Sequence, residues 1–406
     1  MKFLSKDIYT NLLNILVIIV MFNVNGIIYL FTGNTGFVSG IILLLTFFLI
    51  ISAKVWKFSG LMEMYTIFVF LNLAVGSFSL LYHENYGSKS MQTIFDILKS
   101  YLLVLAVFLG FRSAISNGRF DPMTVVGYSI IASVVVSYIL YILGVTENIT
   151  RYRTETRFSG IFANPNEMAA QALFSIIFCW HFLDKSRDKI IYKILLYIAL
   201  LISFVSLVLA FSRSIFLALI IVALLKWLIF MKLNIKSIAS AFLVVLGLLF
   251  FAPKYYNSLD VSAQKRMDAT LSLTEGDFDD TATGGRIGLA EEGFELIAQN
   301  PFIGNGIGIM QHMDGVGGVH NAYLALWGNA GAFVLLYFVL FLVLVQQKLF
   351  LHAKIFRDPT LLCLMLVIII NGLTKTGVYE FKINNIILAL CLAVISAGYQ
   401  RKFNYI

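Results

Sequence analysis

Runs of about 20 consecutive apolar residues recur along nearly the whole chain, the length a helix needs to cross roughly 30 Å of hydrocarbon. Backbone groups in lipid must satisfy one another, and a continuous apolar run does so as a helix. Composition agrees: the 406 residues are 59% hydrophobic and 13% charged, against about 25% charged in soluble domains. The sequence therefore predicts an all-α polytopic membrane protein.

Apolar windows and loop punctuation divide it into about twelve spans. They lie near 11–32, 36–53, 61–82, 95–112, 123–144, 166–183, 190–210, 214–231 and 235–252, then 321–346, 359–375 and 383–400. The organisation expected is nine spans in 1–252, a large outer loop with short helices in 253–320, and three spans in 321–406. The first run lacks a small-residue cleavage site and is too long for a signal-peptide core, so it reads as a retained span. Cys179, Cys363 and Cys391 fall inside apolar runs without paired spacing, as buried small hydrophobes do.

Loop charges fix the expected orientation. With the N-terminus inside, the inner loops carry Lys54 and Lys57, then Arg112 and Arg119, then Lys185, Arg187 and Lys189. Later inner segments carry Lys232 and Lys236, then Lys348, Lys354 and Arg357, then Arg401 and Lys402. Every inner loop is basic, as the positive-inside rule requires, so both termini are expected in the cytoplasm. The net charge of +8 lies mostly in these loops and is no sign of a nucleic-acid partner. Six of the eleven arginines nevertheless fall outside: Arg151, Arg153, Arg157, Arg213, Arg266 and Arg286. Arginine's planar fork binds phosphate bidentately and stays charged, so these point to an anionic ligand on the outer face.

Four constellations gather there, and a fifth element completes the set. In Arg157-Phe158-Ser159-Gly160 through Asn164-Pro165-Asn166-Glu167, Asn-Pro biases Asn164 to an extended backbone and Asn166 is expected to cap the next helix. Arg157 is a candidate ligand contact. Ser212-Arg213 sits between two tightly joined spans, where an arginine either snorkels to headgroups or points inward with a function. Gly284-Gly285-Arg286 opens a helical pattern, with Glu291, Glu292 and Glu295 as its wet face and Leu289, Phe294 and Ile297 packing below. Arg286 in the first turn meets unpaired amides that favour an anion. Asn300-Pro301-Phe302-Ile303-Gly304-Asn305-Gly306 ends that helix in a glycine-rich re-entry.

The fourth constellation, His320-Asn321, comes after Gly315, Gly317 and Gly318 and opens a span containing Gly331. His320 is suited to take a proton from a sugar hydroxyl near neutral pH; His312 is a rival without a helix start to fix it. Glu380, between Lys375 and Lys382, either holds an active-site cation or pairs with Lys382. Asp277-Phe278-Asp279 has metal-ligand spacing but reads as a solvated loop.

The elements at 157–166, 212–213, 285–286, 300–306 and 320–321, in this order within residues 150–345, resemble the O-antigen ligase and polymerase superfamily of membrane glycosyltransferases. The resemblance implies about twelve spans, a large periplasmic loop before the tenth, and transfer of glycan from an undecaprenyl diphosphate donor without metal or other cofactor. It implies that Arg213 and Arg286 bind the donor diphosphate and that His320 is the base for the acceptor hydroxyl. Arg157, Asn164, Asn166, Asn321 and Glu380 become candidate substrate contacts at a periplasmic site in a bacterial inner membrane. Membrane lipid, a flippase and a chain-length regulator are the further partners it suggests. One departure stands out: ligases often carry Gly-x-x-Gly nine residues beyond His-Asn, and here Gly331 is followed by Val334. That leans toward a repeat-unit polymerase over a ligase using lipid A core. A transporter or flippase of lipid-linked glycans is the rival from another class; the long outer loop and the lack of charge at mid-span weigh against it.

Overall fold

The computed structural model describes residues 6–34, 36–53, 58–82, 87–118, 121–145, 157–162, 164–186, 189–227, 264, 286–311, 318–379 and 381–397. Among them every regular element is helical. The first nine helices are α1 (Lys6–Met21), α2 (Val24–Thr32), α3 (Gly36–Ser52), α4 (Gly60–Ser79), α5 (Gly87–Asn117), α6 (Pro122–Ile142), α7 (Pro165–Lys185), α8 (Ile190–Ala210) and α9 (Arg213–Leu225). Four more come later in the chain: α10 (Arg286–Gln299), α11 (Ala322–Phe356), α12 (Thr360–Gly372) and α13 (Lys382–Ser396). The expected span at 235–252 lies outside the described residues, as do Arg151, Arg153, Arg266, Asp277, Asp279, His312 and Glu380.

Five of these helices are long and apolar enough to cross a membrane, or six if the bent pair α1–α2 is one span. The helices α3, α9, α12 and α13 are apolar but shorter. The chain is thus a polytopic helical membrane protein. Four helix starts are capped by a side chain: Ser59, Asp121, Asn164 and Asn321 each accept an amide of the first turn through a side-chain oxygen. Pro122 and Pro165 occupy first helical positions, where a missing N–H costs nothing.

The first run is not the single straight span expected. It bends by 59° between α1 and α2, with Asn23 left-handed at φ 51°. The cause lies far away in sequence. Asn23 Nδ2 donates to the Ile161 carbonyl at 2.8 Å, and a Cβ on Gly26 would stand 1.9 Å from that same oxygen. The loop 157–162 is therefore seated in the break. Gln171 Nε2 covers the freed Met21 carbonyl at 2.9 Å, as buried backbone demands.

The larger hydrophobic core runs through the bundle, where Phe68 of α4 stacks on Phe338 of α11 at 4.3 Å, and a smaller one gathers Ile297, Met310, Val319 and Ala325. Buried Cys179, Cys363 and Cys391 belong to the larger core as free thiols. At the end opposite Asn164 and Asn321, buried His181 of α7 lies 3.1 Å from Asp358, which also accepts from the Thr360 hydroxyl at 2.5 Å. Burial works to raise the Asp358 carboxyl, but hydrogen bonding and charge from His181, with Thr360 and Lys185, hold it far below the ordinary carboxylate range. This cluster ties α7 to the α11–α12 turn.

Candidate active site

The Arg157 motif is built into the bundle. Phe158, Ile161 and Phe162 are buried in the core, which fixes the backbone from which Arg157 reaches out. Its Nε donates to the Ala210 carbonyl at 3.0 Å, and its Nη2 donates at 3.0 Å both to the Phe211 carbonyl and to Asn166 Oδ1. A cation here meets the negative end of α8 and orphan carbonyls of its last turn. Phe211 is left-handed at φ 46°, ψ 60°, a conformation costly for a residue with a Cβ, and Arg157 holds it. That sharp turn carries the chain through buried Ser212 straight into α9, with Arg213 half-buried as its first residue. An arginine at the positive end of a helix is placed for an anion.

The helix start after Pro165 is capped by Asn164, whose Oδ1 accepts the Asn166 amide at 2.8 Å. This corrects the expectation that Asn166 is the cap; its side chain instead receives Arg157. Glu167 sits in the first turn and forms an ion pair with Lys375 at 2.5 Å, both side chains about four-fifths buried at 18% and 23% exposure.

The second half of the site hangs on a broken helix. Gly331 inside α11 has φ 83°, ψ 171°, and the carbonyls freed by the break are taken by the 300–306 segment. Asn305 N donates to Gly328 O at 2.7 Å and Gly306 N to Asn329 O at 3.1 Å, while Ala332 N donates to Pro301 O at 2.9 Å. Non-helical backbone is tolerated at membrane depth only when it is re-satisfied in this way. Gly304, Gly306 and Gly308 all have positive φ, as the turn-rich re-entry requires. Asn305 is buried and holds the Leu296 carbonyl of α10 at 2.7 Å.

The hairpin therefore fastens α10 to α11. Arg286 is the first residue of α10, and Gly293, seven residues on, lies against Val319, where a Cβ would be 2.8 Å from Val319 Cγ2. Seven residues are about 10 Å of helix. Glu291, Glu292 and Glu295 are exposed as expected. Phe294 is not packed below; it is 49% exposed and makes an edge contact with Trp327. The glycine at 293 lets α10 approach closely, which turns the buried face toward Gly293 and Ile297.

His320 is exposed, directly before Asn321, whose Oδ1 caps α11 by accepting the amides of Tyr323 at 2.9 Å and Leu324 at 3.1 Å. The Val319 carbonyl accepts the Thr376 hydroxyl, and Tyr323 and Tyr379 share a hydroxyl bond of 2.8 Å. Contacts thus run without a gap: Phe211 to Arg157, Arg157 to Asn166, Glu167 to Lys375, Thr376 to Val319. Arg213, two residues past Phe211, and His320, next after Val319, are thereby held at one end of the bundle. Sequence reasoning placed Lys375 near Glu380 and missed its pair with Glu167. A lysine next to the last outer turn was the only signal, and the partner is 208 residues away.

No curated protein matches the chain. Residues 198–339 match the family model described as O-antigen ligase, a range that contains Arg213, Arg286, the 300–306 hairpin and His320-Asn321, and this match supports membership in the O-antigen ligase/polymerase superfamily.

Proposed function

We propose that the protein is a repeat-unit polymerase: it moves growing glycan from an undecaprenyl diphosphate donor onto a hydroxyl of a second lipid-linked unit, on the periplasmic face of a bacterial inner membrane. The acceptor oxygen attacks the anomeric carbon of the donor glycan and forms the new carbon–oxygen bond. The bond from that carbon to the diphosphate breaks, and undecaprenyl diphosphate leaves with the electron pair beside Arg213 and Arg286. The acceptor proton goes to His320. Arginines supply charge at the leaving group without a metal, and an imidazole is suited to the proton. Arg157, Asn164 and Asn321 position these groups, through the Phe211 turn and the starts of α7 and α11.

The observation that carries this reading is the unbroken line of contacts joining the Arg213 turn to the His320 helix start. Ligation onto lipid A core is the second reading, favoured by the description of the matching family model. Deleting the gene in its own host and running the surface glycan on a gel separates the two. The polymerase reading expects core bearing a single repeat unit, with the ladder gone. Bare core with long polymer accumulating on undecaprenyl diphosphate would overturn it in favour of ligation.

A further inference from the structure

A cavity of about 580 Å³ opens at the site end between α3, α5 and the start of α13. Five charged side chains line it: Asp96, Lys99, Glu167, Lys375 and Lys382. Its size is that of a small-molecule site, and its wall α3 turns Phe37, Leu44 and Phe47 outward as exposed large hydrophobics. A ligand with an apolar tail can therefore reach it from the side, through lipid.

The charges do not cancel. Lys99 pairs with Asp96 at 3.0 Å and Lys375 with Glu167 at 2.5 Å. Lys382 is half-buried beside that first pair, attracted by Asp96 and repelled by Lys99, so three lysines face two carboxylates and one positive charge is left over among the described lining residues. It is also the first residue of α13, which has no side-chain cap from Phe381. A cation at the positive end of an uncapped helix is unfavourable on its own, and an anion in the cavity removes the conflict.

We infer that this cavity holds the diphosphate headgroup of the acceptor lipid, a polyprenyl diphosphate carrying one repeat unit, with Lys382 and Lys99 as its contacts. The inference rests on the polymerase reading and adds to it a second lipid site. The Glu167–Lys375 pair lines the cavity on the side of the Arg157 motif: Glu167 follows Asn166, whose side chain receives Arg157. Thr376, next to Lys375, holds the carbonyl beside His320. A headgroup anchored at Lys382 thus leaves its sugar to extend toward His320.

The test uses full-length protein in nanodiscs, a donor lipid bearing several units and a radiolabelled single-unit acceptor lipid. Lys382→Gln is expected to raise the acceptor KM by about tenfold or more, the loss of one charge-assisted bond, with the donor KM unchanged. Lys382→Arg should restore most of it. Undecaprenyl diphosphate alone should compete with acceptor in the wild type, and phosphatidylglycerol at equal phosphate should not. An unchanged acceptor KM, an equal rise in both KM values, or competition by lipid A in place of undecaprenyl diphosphate would overturn the inference. If the wild type moves no glycan, the polymerase reading itself fails. Photoreactive undecaprenyl diphosphate then decides the lipid site separately: crosslinks to peptides of α3 and α13, lost in Lys382→Gln, support it, and their absence rejects it.

Discussion

Arg213→Ala and Arg286→Ala are each expected to cut glycan transfer by about 100- to 1,000-fold, the cost of removing one preorganised charge stabiliser, with membrane-inserted protein at wild-type level. Both arginines open a helix, α9 and α10, so a phosphate bound there gains helix-end amides as well as the guanidinium. Neither helix needs its arginine to form. The apolar run of α9 is complete without it, and α10 is held by Ile297, Gly293 and the Asn305 bond to Leu296. Arg286→Lys should recover little, because lysine keeps the charge and loses the fork. The measurement is transfer to labelled acceptor in membrane vesicles, normalised to protein by immunoblot. Wild-type rates in both alanine variants would remove the diphosphate role.

Gly331→Ala should fail at the level of structure. At φ 83°, ψ 171° the backbone lies in a region open essentially to glycine alone, costing about 1–3 kcal/mol for other residues. The added Cβ would also stand 2.0 Å from the Phe302 carbonyl oxygen. To make room the 300–306 hairpin must leave the break, surrendering three backbone hydrogen bonds worth roughly 0.5–1.5 kcal/mol each. With it goes the clamp between α10 and α11, so Arg286 and His320 lose their common frame. The expected result is a clearly lowered Tm in detergent, little protein in the membrane and no transfer. Gly60→Ala is the control: nothing lies within 4 Å of its Cβ, and its Tm should match the wild type. A stable, active Gly331→Ala protein would refute the role given to the break.

Features set by local physics were legible in the sequence. Apolar runs became helices, and starts were expected near Asn164-Pro165 and after His320-Asn321, although the cap of α7 is Asn164 where Asn166 was expected. The residues on α10 that face water were readable from their charge. What was hidden depends on distant partners. An asparagine at 23 inside an apolar run looks like a tolerated polar residue until Ile161, 138 positions away, supplies the carbonyl that bends the helix around it. Gly331 read as half of a family signature; that it breaks α11 required the hairpin whose amides satisfy the break.

The candidate site divides in the same way. Arg157, Arg213 and His320 stood out because charge at the outer mouth of a span needs a reason. Arg157 proved to have one inside the fold, as the clasp on α8 and Phe211. Lys375, Thr376 and Glu167 complete the line between the motifs. No spacing in the sequence could show it, since ion pairs across 208 residues arise from bundle topology alone.

In the mechanism we propose, His320 at the start of α11 takes the acceptor proton in a glycan transfer that releases undecaprenyl diphosphate. Purified protein in nanodiscs, given lipid-linked donor and acceptor, measures this directly as undecaprenyl diphosphate released per glycan bond formed. The wild type should release one for one, and His320→Ala should be slower by about 100- to 10,000-fold, the range for loss of a general base, with unchanged donor binding. Full activity in His320→Ala, or transfer uncoupled from release of the lipid diphosphate, would contradict it.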